Sequence, residues 1–355
     1  MTKQIVPVLS MQVTYQCNIA CKHCGPYCAP DEKDWMTVPE MKDLIQQAVA
    51  LGAENIVFTG GEPSLLGDDL VEILHFVHRD LKLPFSRIVT NGKFASSYDK
   101  GVRVFNQWKE AGLKEVNISC GEYHQEFVPI ETVANAYRAA RDLGFVTVLL
   151  AGEFLKREAG KYTPEMYEQA IGERLLSPDE ISPYISRCHG MSRGAAMPYG
   201  RGKEYIKPSQ LEVFQESKIP SICRDVLAVI TVHPNGNTTA CCGIMVRDES
   251  LLNIGNWRQS RLEKIVKEAN QDIVLNWIRY LGLKDMKRWL KEKDPSLPFR
   301  DQYQNICDLC AEIVYDPHCQ ELLLKHGAER RDDILVNKVA MDAVEGGIRY
   351  GRTTG

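Results

Sequence analysis

The chain has 355 residues, of which 44% are hydrophobic and 25% charged, a composition suited to a globular protein with a large core. Its 43 Lys and Arg against 47 Asp and Glu give a net charge of −4, so no basic field draws in nucleic acid or an anionic membrane. The start, MTKQIVPVLS, has no signal-peptide apolar stretch and no apolar run approaches spanning length, so a cytoplasmic protein away from membranes is expected.

From Val8 to about Arg187 short β-rich runs alternate with amphipathic helical patterns. Strands are predicted over 8–15, 54–60, 85–91, 114–120, 145–151 and 180–186. The first helix is the best marked. Thr37 and Glu40 form a capping box, and Met41, Leu44, Ile45, Ala48 and Leu51 recur at helical spacing before Gly52. Similar patterns cover 67–80, 98–112, 131–144 and 164–176. This rhythm predicts an α/β fold, a parallel sheet curled into a partial (β/α)6 barrel with its chemistry at the C-terminal ends of the strands.

After Gly202 the rhythm changes. A hairpin is expected over 226–242 around Asn235-Gly236, then a long helical stretch over 258–293, a CxxC at 307–310 and a helix near 316–326. The glycine-rich end, EGGIRYGRTTG, reads as a frayed tail. The expected division is a barrel over 1–205, a small α+β domain with the hairpin over 206–330, and a C-terminal helix and tail over 331–355.

Twelve cysteines need a purpose in a reducing compartment, where disulfides are rare and clustered thiols read as metal ligands or catalytic groups. Cys17, Cys21, Cys24 and Cys28 lie near the start, and Cys223, Cys241, Cys242, Cys307, Cys310 and Cys319 toward the end. Two metal sites are predicted. In MQVTYQCNIACKHCG, Cys17, Cys21 and Cys24 leave the first strand for a tight loop. Three thiolates suit a cubane iron–sulfur cluster with one iron left open for a small molecule. A structural zinc site is the rival, with His23 or Cys28 as the only nearby help.

The CxxxCxxC after a first strand resembles the radical S-adenosylmethionine (SAM) superfamily. The resemblance extends to Gly60-Gly61-Glu62-Pro63, which matches the segment that holds the SAM amino group, where glycines allow close approach and a carboxylate suits an ammonium. Thr90-Asn91-Gly92, with Asn91 as a cofactor contact, is similar to a further element of that family. Ser119 and Glu122 fall where the family contacts the ribose, although Gly121 stands where members often carry Asp. The segment LLAGEF (149–154) resembles the adenine-side element. The resemblance implies a [4Fe–4S] cluster, SAM, and an electron donor such as flavodoxin or ferredoxin. It also implies reductive cleavage of SAM to a 5′-deoxyadenosyl radical that abstracts a substrate hydrogen.

Toward the C-terminus, Cys223, Cys241, Cys307 and Cys310, with Asn253-Ile254-Gly255-Asn256 between, are similar to the twitch domain, the shortened relative of the SPASM domain. That resemblance implies a second, auxiliary [4Fe–4S] cluster. Four thiolates around zinc fit the same residues. Adjacent strand residues face opposite ways, so only one of Cys241 and Cys242 meets the cluster, and glycine spacing favours Cys241. The roles of Cys28, Cys242 and Cys319 stay open.

Cys188 is expected at the mouth of the sixth strand and Cys120 at the mouth of the fourth, where either thiol would give a hydrogen atom to a substrate radical. A small buried hydrophobe is the commoner use of free cysteine. His124 is a candidate base for a substrate hydroxyl, and Arg193, Arg201 and Lys203 are candidate anion partners. Trp257, Trp277 and Trp289 read as packing for the long helical region. The expected activity is oxidation or epimerisation of a small polar substrate such as a sugar, aminocyclitol or aminoglycoside. Modification of a ribosomally made peptide is the alternative. A non-enzymatic metal-binding module would leave the GGEP segment unexplained.

Overall fold

The computed structural model describes residues 6–177, 180, 188–244, 247 and 250–351, the last eight by backbone alone. The chain divides into two compact units. The first holds Met1–Glu212, Thr231–Asn237 and Met245–Arg247; the second holds Val213–Ile230, Thr238–Ile244 and Asp248–Gly355.

In the first unit, β1 (Val8–Gln12), α1 (Val38–Ala50), β2 (Asn55–Thr59), α2 (Asp68–His75) and β3 (Phe85–Thr90) come first. They are followed by α3 (Tyr98–Glu110), β4 (Glu115–Gly121), α4 (Ile130–Asp142), β5 (Thr147–Phe154), α5 (Pro164–Ile171), β6 (Cys188–Ala195) and the short α6 (Gly202–Tyr205). The six strands pair in parallel in sequence order, the α/β sheet that the alternating pattern predicts. The capping box forms as expected: Glu40 N–H donates to Thr37 Oγ1, and Thr37 N–H donates to Glu40 Oε2 at 2.8 Å.

Strand register sorts side chains onto two faces. One row set carries Leu9, Met11, Ile56, Phe58, Ile88, Val116, Ile118, Cys120, Val148 and Leu150, all buried. This face meets the helices, since Ile118 and Ala136 of α4 both abut Gly92. The opposite, inner face carries Ser10, Gln12, Arg87, Glu115, Asn117, Ser119 and Glu153, interleaved with Val57, Val89, Leu149 and Ala151. All the charged residues of these rows, Arg87, Glu115 and Glu153, lie on the inner face.

The expected sixth strand, 180–186, lies outside the described residues apart from Glu180. The strand that pairs with β5 is Cys188–Ala195, with Cys188 opposite Thr147. Cys188 therefore opens its strand. It lies six residues below the row of Glu153 and Gly194, about 20 Å at ~3.3 Å per residue. The mouth position expected for Cys188 is thus corrected to the opposite edge of the sheet. Cys120 does lie near the end of β4, but its side chain is buried on the helix face beside Tyr167 of α5.

In the second unit, β7 (Phe214–Gln215) pairs antiparallel with β11 (Gln302–Tyr303). The hairpin strands β8 (Val229–Val232) and β9 (Asn237–Thr239) are divided between the two units, since Thr231–Asn237 belongs to the first; the short β10 (Asn253–Asn256) then precedes α7 (Leu262–Ala269), α8 (Ile273–Tyr280) and α9 (Leu283–Lys293) of the second. The helical stretch expected over 258–293 is thus made of three helices. Asn270 and Gln271 end the first, and Gly282, at φ +92°, ends the second where a Cβ would lie 2.5 Å from Ser221 O. Trp277 and Trp289 pack edge to face at 5.2 Å between α8 and α9. Then come α10 (Ile306–Val314), α11 (Pro317–His326) and α12 (Arg331–Gly351). The expected frayed tail is helical through Gly351.

Candidate metal centre

Beyond β1 the backbone stays bound to the end of β2. Val13 N–H donates to Thr59 O at 2.9 Å, Gly61 N–H to Thr14 O at 2.6 Å and Glu62 N–H to Gln16 O at 2.9 Å. These bonds leave no room for side chains. A Cβ on Gly61 would lie 1.9 Å from Gln16 O, and one on Gly60, at φ +131°, 2.5 Å from Thr14 O. The glycine pair is therefore required by the chain that leads into Cys17. Gly61→Ala is expected to push these backbones apart, costing ~1–3 kcal/mol and loosening the cysteine loop. Thermal unfolding and the iron retained after anaerobic reconstitution will both fall.

Cys17 and Cys21 are buried and Cys24 is half-buried, so the three thiols share one loop. Cys17 N–H donates to Ala29 O at 3.1 Å and Cys24 N–H to Cys21 O at 3.2 Å, closing the loop on itself. Burial, and then the nearby Glu62, pushes Cys17 up to about 12, and burial also holds Cys21 well above its ordinary value. Cys24 moves down to about 7, chiefly because the Cys28 thiol donates to it, helped by Cys28 N–H at 3.2 Å from its sulfur. Cys28, which the sequence left without a role, is a hydrogen-bond donor to the third cysteine. A soft, clustered thiol set of this kind fits an iron–sulfur cluster.

Glu62 is fully buried, and its carboxylate is already engaged. Oε1 accepts from Thr90 Oγ1 at 2.7 Å and Ser64 N–H at 3.0 Å, and Oε2 accepts from Asn91 N–H at 2.8 Å. It therefore ties the end of β2 to the end of β3, which explains why GGEP and TNG occur together. Asn91 extends the link, donating from Nδ2 to Asn18 Oδ1 at 2.8 Å and toward Cys17 Sγ at 3.7 Å. Asn18 was not singled out from sequence. Ser119 is half-buried on the inner face. Glu122 accepts from Lys161 N–H at 2.9 Å and pins the segment after β5.

His23, inside the cysteine loop, pairs with Glu153 at the end of β5, Nε2 to Oε2 2.5 Å. Burial opposes charge on His23, yet the Glu153 carboxylate holds its pKa above the usual value. His124 stands edge-on at 4.8 Å between ring centroids, and burial, then the charge on His23, lowers it to about 4. The ligand atoms of His23, His124 and Glu153 lie within 4.8 Å of one another, close enough to hold a cation. Sequence reasoning weighed His124 as a base and His23 only as a helper at a zinc site, and did not join them to Glu153. The signal for His23 and Glu153 was their place inside motifs already flagged, the cysteine loop and LLAGEF.

In the second unit the four predicted cysteines converge. Gly243 N–H donates to Cys241 Sγ at 3.1 Å, and a Cβ on Gly243 would lie 3.1 Å from Cys307 Sγ. Burial raises Cys310 well above its ordinary value, and negative charge on Cys241, Cys307 and Cys223 adds to it. Cys242 is pushed up to about 12 by burial and then by Cys241. Cys319 is apart, its thiol raised by burial and then by Asp316.

A parallel α/β sheet with three cysteines looped over its C-terminal edge, braced by a GGEP segment, defines the class of domain. Residues 11–171 match the Radical SAM superfamily, and this part of the chain is a radical SAM domain. Among curated relatives, a GTP 3',8-cyclase of Actinobacillus pleuropneumoniae serotype 7 is 32% identical over 198 residues, 51% of this chain and 56% of that protein. One from Alkaliphilus oremlandii is 33% identical over 114 residues, 31% of this chain and 33% of that protein. The chain thus spans a third to about half the length of the curated relatives it matches. Among solved structures, Streptococcus suis SuiB bound to S-adenosylmethionine matches at 15% identity and TM-score 0.43, over 74% of this chain and 65% of that one. BtrN in complex with AdoMet and 2-DOIA matches at 14% identity and TM-score 0.45, over 78% and 87%. Among the described residues no helix is long and apolar enough to cross a membrane.

Proposed function

We propose that this radical SAM enzyme acts on a small polar substrate held in the barrel, and that its second unit carries an auxiliary [4Fe–4S] cluster. The observation that carries the substrate class is the inner face of the sheet. Arg87 and Glu115 pair there at 2.6 Å, and Ser119 and the His23–Glu153 pair stand nearer the cysteine loop. An interior with this many charged and polar groups would waste them on an apolar ligand.

Cys17, Cys21 and Cys24 would each bind one iron, and the Gly60–Glu62 backbone would lie against the SAM amino end. When bound, the reduced cluster and SAM supply a 5′-deoxyadenosyl radical that takes a hydrogen atom from the substrate. The barrel residues then exclude water and keep the target carbon near that radical.

Epimerisation needs a thiol beside the radical. Cys188 opens β6 at the far edge, and Cys120 faces the helices. The reading therefore narrows to oxidation or internal rearrangement. The name of the curated relatives, GTP 3',8-cyclase, makes a nucleotide the second reading of the substrate. Turnover in heavy water tests the choice. No deuterium at the reacting carbon is expected, and Cys188→Ala should turn over like the parent. One deuterium per product, lost in Cys188→Ala, would restore epimerisation.

A further inference from the structure

Arg201 lies some 180 residues from the cysteine loop in sequence, yet every donor the structure assigns it points into that loop. Its backbone N–H donates to Cys24 O at 3.0 Å, Nη1 to Cys21 O at 2.7 Å and Nη2 to Cys28 O at 3.0 Å. Three carbonyls spread over eight residues are gathered by one side chain and its own amide. The preceding residue makes the approach possible. Gly200 sits at φ +54°, where a Cβ would meet Gly25 O at 2.2 Å.

We infer that Arg201 is a positioning residue for the SAM-cleaving cluster, fixing the loop that carries its ligands and favouring its reduced state. This rests on the reading that Cys17, Cys21 and Cys24 hold a [4Fe–4S] cluster. Two consequences follow from the geometry. A planar guanidinium binding two carbonyls at fixed angles holds the loop in one shape, which an ammonium on a flexible stem does not. A permanent positive charge bound to the ligand-bearing Cys21 also favours the state with one more electron, because a cluster on three thiolates becomes more negative when reduced. The Arg201 guanidinium reaches the loop from the side of Cys21 and Cys28, while the His23–Glu153 pair is nearly neutral as a unit.

The experiment separates the two consequences. Wild type, Arg201→Lys and Arg201→Gln are reconstituted anaerobically in a Cys307→Ala background, so that one cluster is read. The midpoint potential is followed by electron paramagnetic resonance, and iron loss to a chelator is timed. Arg201→Gln should shift the reduced-to-oxidised ratio at fixed potential about tenfold toward oxidised, ~59 mV for a one-electron couple, and lose iron faster. Arg201→Lys should keep the wild-type potential but still lose iron faster. Should Arg201→Gln fail to take up a cluster, Arg201→Lys decides alone: faster iron loss supports the role, and wild-type retention overturns it. Loaded Arg201→Gln with the wild-type potential and iron loss would also overturn it. Failure of the wild type itself to take up iron would instead sink the underlying cluster assignment.

Discussion

Replacing Cys17, Cys21 and Cys24 together by Ala will abolish formation of 5′-deoxyadenosine under dithionite and leave about four of about eight irons. The loss should be complete rather than graded. No other thiol set of the first unit can hold iron for SAM, since its remaining cysteines are Cys28, which serves as a donor to Cys24, and Cys120 and Cys188, which lie elsewhere. The variant should still fold. The sheet, its helix face and the Glu62 link to Thr90 and Asn91 do not depend on the three thiols. Its melting temperature should fall because a cluster that binds only the folded loop adds its binding energy to stability. If the triple variant still releases 5′-deoxyadenosine, the assignment of this loop as the SAM site is wrong.

Much of this was readable in advance because local chemistry and global fold agree. β1 to β5 start within two residues of the apolar runs that predicted them, and Thr37 and Glu40 make the capping box their spacing required. Strand six was misread for a physical reason. CHGMSRGA has no β-branched residue and two glycines, so its strand character comes from eight residues of pairing with β5 rather than from propensity. The breaks at Asn270 and Gly282 were hidden because apolar residues continue at helical spacing across them. The outward turn of Cys120 could have been found. In EVNISC, Val116, Ile118 and Cys120 alternate with polar neighbours, which puts the cysteine on the apolar face. What no local pattern could give was the long-range pairing: Glu62 to Asn91, His23 to Glu153, and Arg201 to Cys21.

Cys307→Ala or Cys310→Ala is expected to remove the second cluster while SAM cleavage continues at a reduced rate. About four irons should stay with the protein, all in the first loop. The expectation follows from separate ligand sets. Cys17, Cys21 and Cys24 belong to the first unit, whereas Cys223, Cys241, Cys307 and Cys310 belong to the second, where burial and then neighbouring thiols raise Cys307 and Cys310. Cys241 rather than Cys242 should be the hairpin ligand. The Gly243 site lies 3.1 Å from Cys307 Sγ and 3.8 Å from Cys241 Sγ, so these two sulfurs share one pocket. Cys319→Ala should therefore keep about eight irons, because its neighbours are Asp316 and Glu312 rather than thiols. Metal analysis also decides the zinc rival: a single zinc lost from Cys310→Ala, with no change in iron, would replace the auxiliary cluster by a structural ion. Should Cys242→Ala or Cys319→Ala strip the iron instead, this ligand set fails.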